Sequence, residues 1–234
     1  AAVNGRLYVI GGQPSAGGSG PWVNTVYEYD PARRTWSTRA PMPTARGGGA
    51  GAVIDGKIYV AGGRPPRGND FAVYDPAANA WRALPDLPSQ RNHVGAVALG
   101  GKFYVMGGRL ESGFESAMTA VVEVYDPVAN QWSTRAPMPR PRGGLNAVEA
   151  HGYIHAFGGE GTNDTPTGVF PDHDVYDPAR NVWIKLPPMP VPVHGVTGCS
   201  FINGLIHLTG GGMMEGGASG GLLHQVFRPA AAYR

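Results

Sequence analysis

The sequence predicts an all-β protein assembled from five copies of one four-stranded unit, and three observations predict it. Gly-Gly pairs close a β-like run at 11–12, 62–63, 107–108, 158–159 and 210–211. Tyr-Asp-Pro follows at 29–31, 74–76, 125–127 and 176–178, with a decayed Phe-Arg-Pro at 227–229. Trp36, Trp81, Trp132 and Trp183 come next, 45, 51 and 51 residues apart, each ahead of Pro-Met-Pro or a near copy of it. The landmarks keep one order throughout, and self-similarity at such a period is the signature of a repeat architecture.

The third copy shows the strands most clearly: 94–99, 102–106, 120–125 and 131–135, rich in Val, Tyr, Phe and Trp and bounded by Gly, Pro, Asn or Asp. A two-residue Gly-Gly turn joins the first two strands. Its counterparts are Asn4-Gly5, Asp55-Gly56, His151-Gly152 and Asn203-Gly204, which supply the positive φ that tight hairpins require. The third and fourth strands meet at Asp-Pro-x-x-Asn or a relative of it, where Asp accepts from the turn backbone and Pro presets φ. No stretch has helical periodicity. One domain is expected over 1–234, with blades near 1–43, 44–88, 89–139, 140–190 and 191–234.

Four strands in about fifty residues, repeated, describe a propeller blade. The Gly-Gly, Tyr-Asp-Pro, Trp and Pro-Met-Pro series, with an Arg opening a copy, resembles the kelch motif over essentially the whole chain. The resemblance implies a kelch-type β-propeller of about five four-stranded blades. A truncated six-bladed ring is the alternative, because kelch rings usually have six or seven blades. The last copy, from about His194, has three strands and no tryptophan-bearing fourth, so its blade is expected to be incomplete. The first copy lacks the stretch matching Arg46–Gly51. Such ends leave unpaired strand edges, hence an expected tendency to self-associate.

Composition excludes several classes. Gly at 37 and Pro at 22 make up about a quarter of the chain but fall at repeated positions, as turn punctuation rather than low complexity. A net charge of +2 without a basic run argues against nucleic acid. No run of about 18 apolar residues is present to cross a membrane. The lone Cys199 offers no disulfide framework and sits in an apolar strand. The chain starts without Met inside a repeat, so an upstream segment is expected. Its Ala-, Gly-, Pro- and Arg-rich usage suggests a GC-rich bacterium, and the kelch resemblance implies export there.

Residues that recur in every copy answer a need every blade shares, so function is sought where copies differ. The loop between the second and third strands is six residues shorter in the second copy than in the first, third and fourth. In kelch proteins that loop and the one entering each first strand share the face where partners bind. After each Gly-Gly stand Gln13, Arg64, Arg109, Glu160 and Gly212. The opening Arg appears as Arg46, Arg91 and Arg142, with His194 as its fourth counterpart. Two positions on come Gly48, His93, Gly144 and Val196. Some kelch adaptors place at this last position an arginine that clasps acidic peptides.

Arg64, Arg91, His93 and Arg109 are therefore expected to converge at the channel mouth and bind a carboxylate, with Arg67 nearby and Glu160 beside them. Protonation of His93 would strengthen binding below about pH 6.5. The resemblance also admits a carbohydrate-directed enzyme of mutarotase type, with Glu160 and His93 or an arginine as acid and base, and a purely architectural domain. A binding module for a protein, a peptide or a small anionic ligand, sugars included, is preferred. The sequence points to no cofactor, catalytic constellation or metal site. In Asp172-His173-Asp174, alternation on a strand would turn the two carboxylates away from the histidine, and the acidic residues of that blade include Asp164.

Overall fold

The computed structural model describes residues 1–14, 21–64, 66, 68–111, 113, 116–161, 165–195, 198–216 and 220–233. Arg67, Asp164 and Val196, singled out above, lie outside them. Five antiparallel sheets follow one another along the chain. Blade 1 holds β1 (Ala2–Val3), β2 (Arg6–Ile10), β3 (Val26–Asp30) and β4 (Thr35–Arg39). Blade 2 holds β5 (Ala50–Ile54), β6 (Lys57–Ala61), β7 (Phe71–Asp75) and β8 (Ala80–Ala83). In blade 3 are β9 (Gly95–Leu99), β10 (Lys102–Met106), β11 (Val122–Asp126) and β12 (Gln131–Arg135). Blade 4 has β13 (Asn146–Ala150), β14 (Tyr153–Phe157), β15 (His173–Asp177) and β16 (Val182–Lys185). Blade 5 has three strands: β17 (Gly198–Ile202), β18 (Leu205–Thr209) and β19 (His224–Phe227). The incomplete last blade is as expected.

Local chemistry explains why the strands turn where they do. All five X-Gly turns have positive φ at both residues, for example 49° at Asp55 and 72° at Gly56, the conformation whose twist suits a two-residue hairpin. At the other end of blades 1 to 4, the Oδ1 of Asp30, Asp75, Asp126 or Asp177 accepts from two backbone N–H groups just after it. Asn79, Asn130 and Asn181 then adopt left-handed backbone, and each accepts a hydrogen bond from the hydroxyl of Tyr74, Tyr125 or Tyr176. Blade 5 carries Phe227, Arg228 and Ala232 at these places. With the turn chemistry gone, the tail crosses to blade 4, where Tyr233 packs edge-on against Tyr153.

The repeated tryptophans tie each blade to the one before it. Indole N–H groups of Trp81, Trp132 and Trp183 donate to the carbonyls of Ala40, Pro85 and Ala136 at 2.8, 2.8 and 2.9 Å. Apolar residues form one core cluster per interface, between blades 1 and 2, 2 and 3, 3 and 4, and 4 and 5. Among the described residues no such cluster joins blade 5 to blade 1. Leu7, Val9, Tyr27 and Trp36 on blade 1, and Ile202 and Val226 on blade 5, are accordingly exposed.

Arg46, Arg91 and Arg142 are structural. Each enters its own blade beside the second and third strands and is buried, with exposures of 4%, 0% and 0%. Arg91 donates to the carbonyls of Gly107, Val121 and Val105 and to the Glu123 carboxylate at 2.8 Å. Arg142 bonds Asp174 at 2.7 Å, and Arg46 the Val60 and Asp70 carbonyls. A buried guanidinium is tolerable only with such partners. The expectation that Arg91 joins a ligand site is corrected on this ground: its side chain has no surface to offer.

Candidate functional site

Two backbone ladders organise the mouth of the channel and fix the alignment of the blades. The carbonyls of Arg46, Arg91, Arg142 and Val193 accept from Gly12, Gly63, Gly108 and Gly159. The fourth counterpart of the opening Arg is therefore Val193 rather than His194, one residue earlier than the sequence pattern suggested. A second ladder runs around the channel. His93 N–H donates to Gly48 O at 2.7 Å, Gly144 N–H to His93 O at 2.8 Å and Gly195 N–H to Gly144 O at 2.7 Å. All four residues have left-handed φ, between 53° and 74°. Gly195, not Val196, completes the row, and His93 is the one member bearing a side chain. Left-handed backbone favours glycine, so a histidine here is a local exception.

His93 is clasped from two sides. Its Nδ1 lies 2.6 Å from Asn92 Oδ1, and its Nε2 lies 3.4 Å from an Arg64 nitrogen. Arginine only donates, so Nε2 is the acceptor and Nδ1 carries the proton. Burial, then the charges of Arg109 and Arg64, lower its pKa to about 3. The expected charging of His93 near pH 6.5 is thereby corrected: the imidazole is neutral across the physiological range. Arg64 also lies over the Trp22 ring, 5.3 Å from its centroid. Gly47 makes that possible, because a Cβ there would stand 2.3 Å from the indole.

Arg109 and Glu160 form a buried ion pair at the next two blades, 3% and 1% exposed. Burial, with the charge of Arg64, lowers the Arg109 pKa to about 10. Glu160 Oε1 also faces His194 Nδ1 at 3.2 Å, and Oε2 accepts from Gly216 N–H at 2.8 Å. His194 Nε2 lies 2.7 Å from the Met214 carbonyl, which fixes the proton there. Burial, first among the causes, lowers the pKa of His194. Both Glu160 oxygens are thus engaged, and its imidazole neighbour is His194, not the His93 named for an acid–base pair.

Of the expected site residues the structure brings Arg64, His93 and Arg109 together, sets Glu160 behind Arg109 and excludes Arg91. Trp22, Asn92 and His194 were not foreseen as members. Asn92 and His194 could have been found by aligning the residue that follows the opening Arg, where Gly47, Asn92, Gly143 and His194 are equivalent. Asp172 and Asp174 face Arg140 and Arg142, at 3.3 and 2.7 Å, while His173 points the other way. No group of three or more metal-ligating side chains occurs among the described residues.

Repeated antiparallel sheets, with blades 2 to 4 each latched to its predecessor by a tryptophan, define a β-propeller. A family profile described as "KLHDC2/KLHL20/DRC7 Kelch-repeats domain" matches residues 1–211, and the chain belongs to the kelch-repeat family. It is 34% identical over 228 residues to "Kelch-like protein terF" of Aspergillus terreus, covering 92% of this chain and 49% of that protein. It is 32% identical over 101 residues to "Kelch-like ECH-associated protein 1B" of Danio rerio, covering 42% of this chain and 17% of the relative. The chain thus spans half or less of the length of these relatives. A solved structure titled "Structure of YjhT" superposes with a TM-score of 0.79 at 18% identity, covering 96% of this chain and 78% of that one, a likeness of fold.

Proposed function

We propose that this propeller is a recognition module that takes an acidic segment of a partner protein at the channel mouth, where Arg64 and Arg109 flank the neutral His93. The observation that carries the reading is electrostatic. The half-buried Arg64 guanidinium lies beside His93 and over the Trp22 ring, at a position of the second ladder where the other blades present glycine, while Arg109 stands behind it paired with Glu160. A carboxylate arriving there meets the Arg64 guanidinium, a planar donor suited to two-point hydrogen bonding, whereas the buried Arg109 acts at a distance. His93, acting through its Asn92 and Arg64 contacts, sets the Arg64 head rather than supplying charge. The printed name of the zebrafish relative, an ECH-associated protein, accords with protein binding by kelch relatives.

The test is a fluorescence titration of the chain with a library of acidic, neutral and basic peptides. Acidic peptides should bind best, and Arg64→Ala should weaken them by roughly 10- to 100-fold, the range for a hydrogen bond to a charged group. Equal binding of the three peptide classes, or no effect of Arg64→Ala, refutes the reading.

A further inference from the structure

Two pairs of histidines occupy the same two positions in consecutive blades. In blades 1 to 3 the third residue of the second strand is Tyr8, Tyr59 or Tyr104, and the first residue of the third strand is Val26, Phe71 or Val122. In blades 4 and 5 both positions change together, to His155 with His173 and to His207 with His224. Both pairs have the same geometry: Nδ1 of the first lies 3.0 Å from Nε2 of the second, and ring centroids are 5.3 and 5.2 Å apart.

Their surroundings differ. The blade 4 pair faces blade 5 and is buried, with the Phe227 ring 4.5 Å from His173 and the Tyr233 ring 5.5 Å from His155. The blade 5 pair lies on the face that, among the described residues, no core cluster covers. His224 is exposed and His207 half-buried. Opposite them in the sheet stand Thr209 and Ser200.

The separation of the nitrogens selects the chemistry. With metal–nitrogen bonds of about 2.0–2.1 Å, two nitrogens 3.0 Å apart subtend roughly 90° at a shared ion. That is the cis angle of a square-planar or octahedral site; a tetrahedral angle needs about 3.4 Å. Tetragonal nitrogen and oxygen sites suit Cu²⁺ and Ni²⁺. The hydrogen bond between the two rings yields to the ion by moving one imidazole proton to its ring's other nitrogen, so no proton need leave the protein. We propose that His207 Nδ1 and His224 Nε2 form a two-nitrogen chelate for a divalent tetragonal ion, Cu²⁺ ahead of Ni²⁺, with water completing the shell. The site is independent of the peptide-binding reading at the mouth.

The test is titration of the intact chain with Cu²⁺ and Ni²⁺, followed by calorimetry and, for Cu²⁺, by electron paramagnetic resonance. One site with two coupled nitrogens is expected. His207→Ala and His224→Ala should each weaken it at least tenfold and remove one coupled nitrogen, whereas His151→Ala, at an exposed turn, should leave it unchanged. Binding that survives both substitutions together, no binding at 100-fold molar excess, or loss on His151→Ala overturns the assignment. Because His224 is exposed, His224→Gln tests the site even if the His207 variant fails to fold.

Discussion

Replacing Arg91 by Met separates a structural arginine from a ligand-binding one. Its guanidinium donates to three backbone carbonyls and to Glu123, and Glu123, 2% exposed, keeps one further bond from Ser89. Removal strands a buried carboxylate, and breaking such a pair costs about 3–5 kcal/mol. For a domain of this size that corresponds to a fall in Tm of roughly 6–20 °C. Replacing both partners, Arg91→Met with Glu123→Leu, should recover most of the loss. Blade 5 already carries such a double replacement, with Val193 and Gln225 at the equivalent positions, and there Gln225 bonds the Val191 backbone instead. The assay is urea and thermal unfolding of both variants beside peptide binding at low temperature. A loss below about 1 kcal/mol, no recovery in the double variant, or weakened peptide binding by a still-folded Arg91→Met would each refute the reasoning.

The remaining predictions are shorter. Burial lowers the pKa values of His93, His155 and His173 to about 3, 4 and 3, below the ordinary 6.5. The unfolded chain therefore takes up protons first, so stability is full above about pH 6.5 and falls as pH drops toward 4. His155→Tyr with His173→Val, which recreates the blade 3 pair, should flatten the acid limb of a stability-versus-pH curve; an unchanged slope counts against it. Burial pushes the Cys199 thiol up to about 12, so a maleimide should label the native protein far more slowly than the urea-unfolded chain. Gly47→Ala drives a Cβ into the Trp22 ring and should weaken acidic-peptide binding severalfold by displacing the indole under Arg64. Retention of full affinity would show that the indole does not position Arg64.

The fold was legible because each blade announces itself locally. Asp-Pro-x-x-Asn turns, X-Gly hairpins and the Trp that follows draw on neighbours within a few residues, and five repetitions leave little ambiguity. Where the repeat lost its marker, the sequence misled: with Arg replaced by Val193, the more polar His194 took its place in the pattern by one residue. The hydrogen bonds from Gly159 to the Val193 carbonyl and from Gly195 to the Gly144 carbonyl restore the register.

The geometry of the candidate site was half legible. Loop position brought out Arg64, His93, Arg109 and Glu160, but their states depend on partners distant in sequence. Glu123, 32 residues beyond Arg91, makes that arginine structural. Burial and two guanidinium charges keep His93 neutral. His194, 34 residues beyond Glu160, becomes its neighbour only when two blades meet. The sequence by itself determined the blades and their turns, because those rest on short-range backbone conformation. The tertiary structure decided which charges are buried, paired or presented at the mouth, because desolvation and ion pairing depend on what the folded ring brings within a few ångströms.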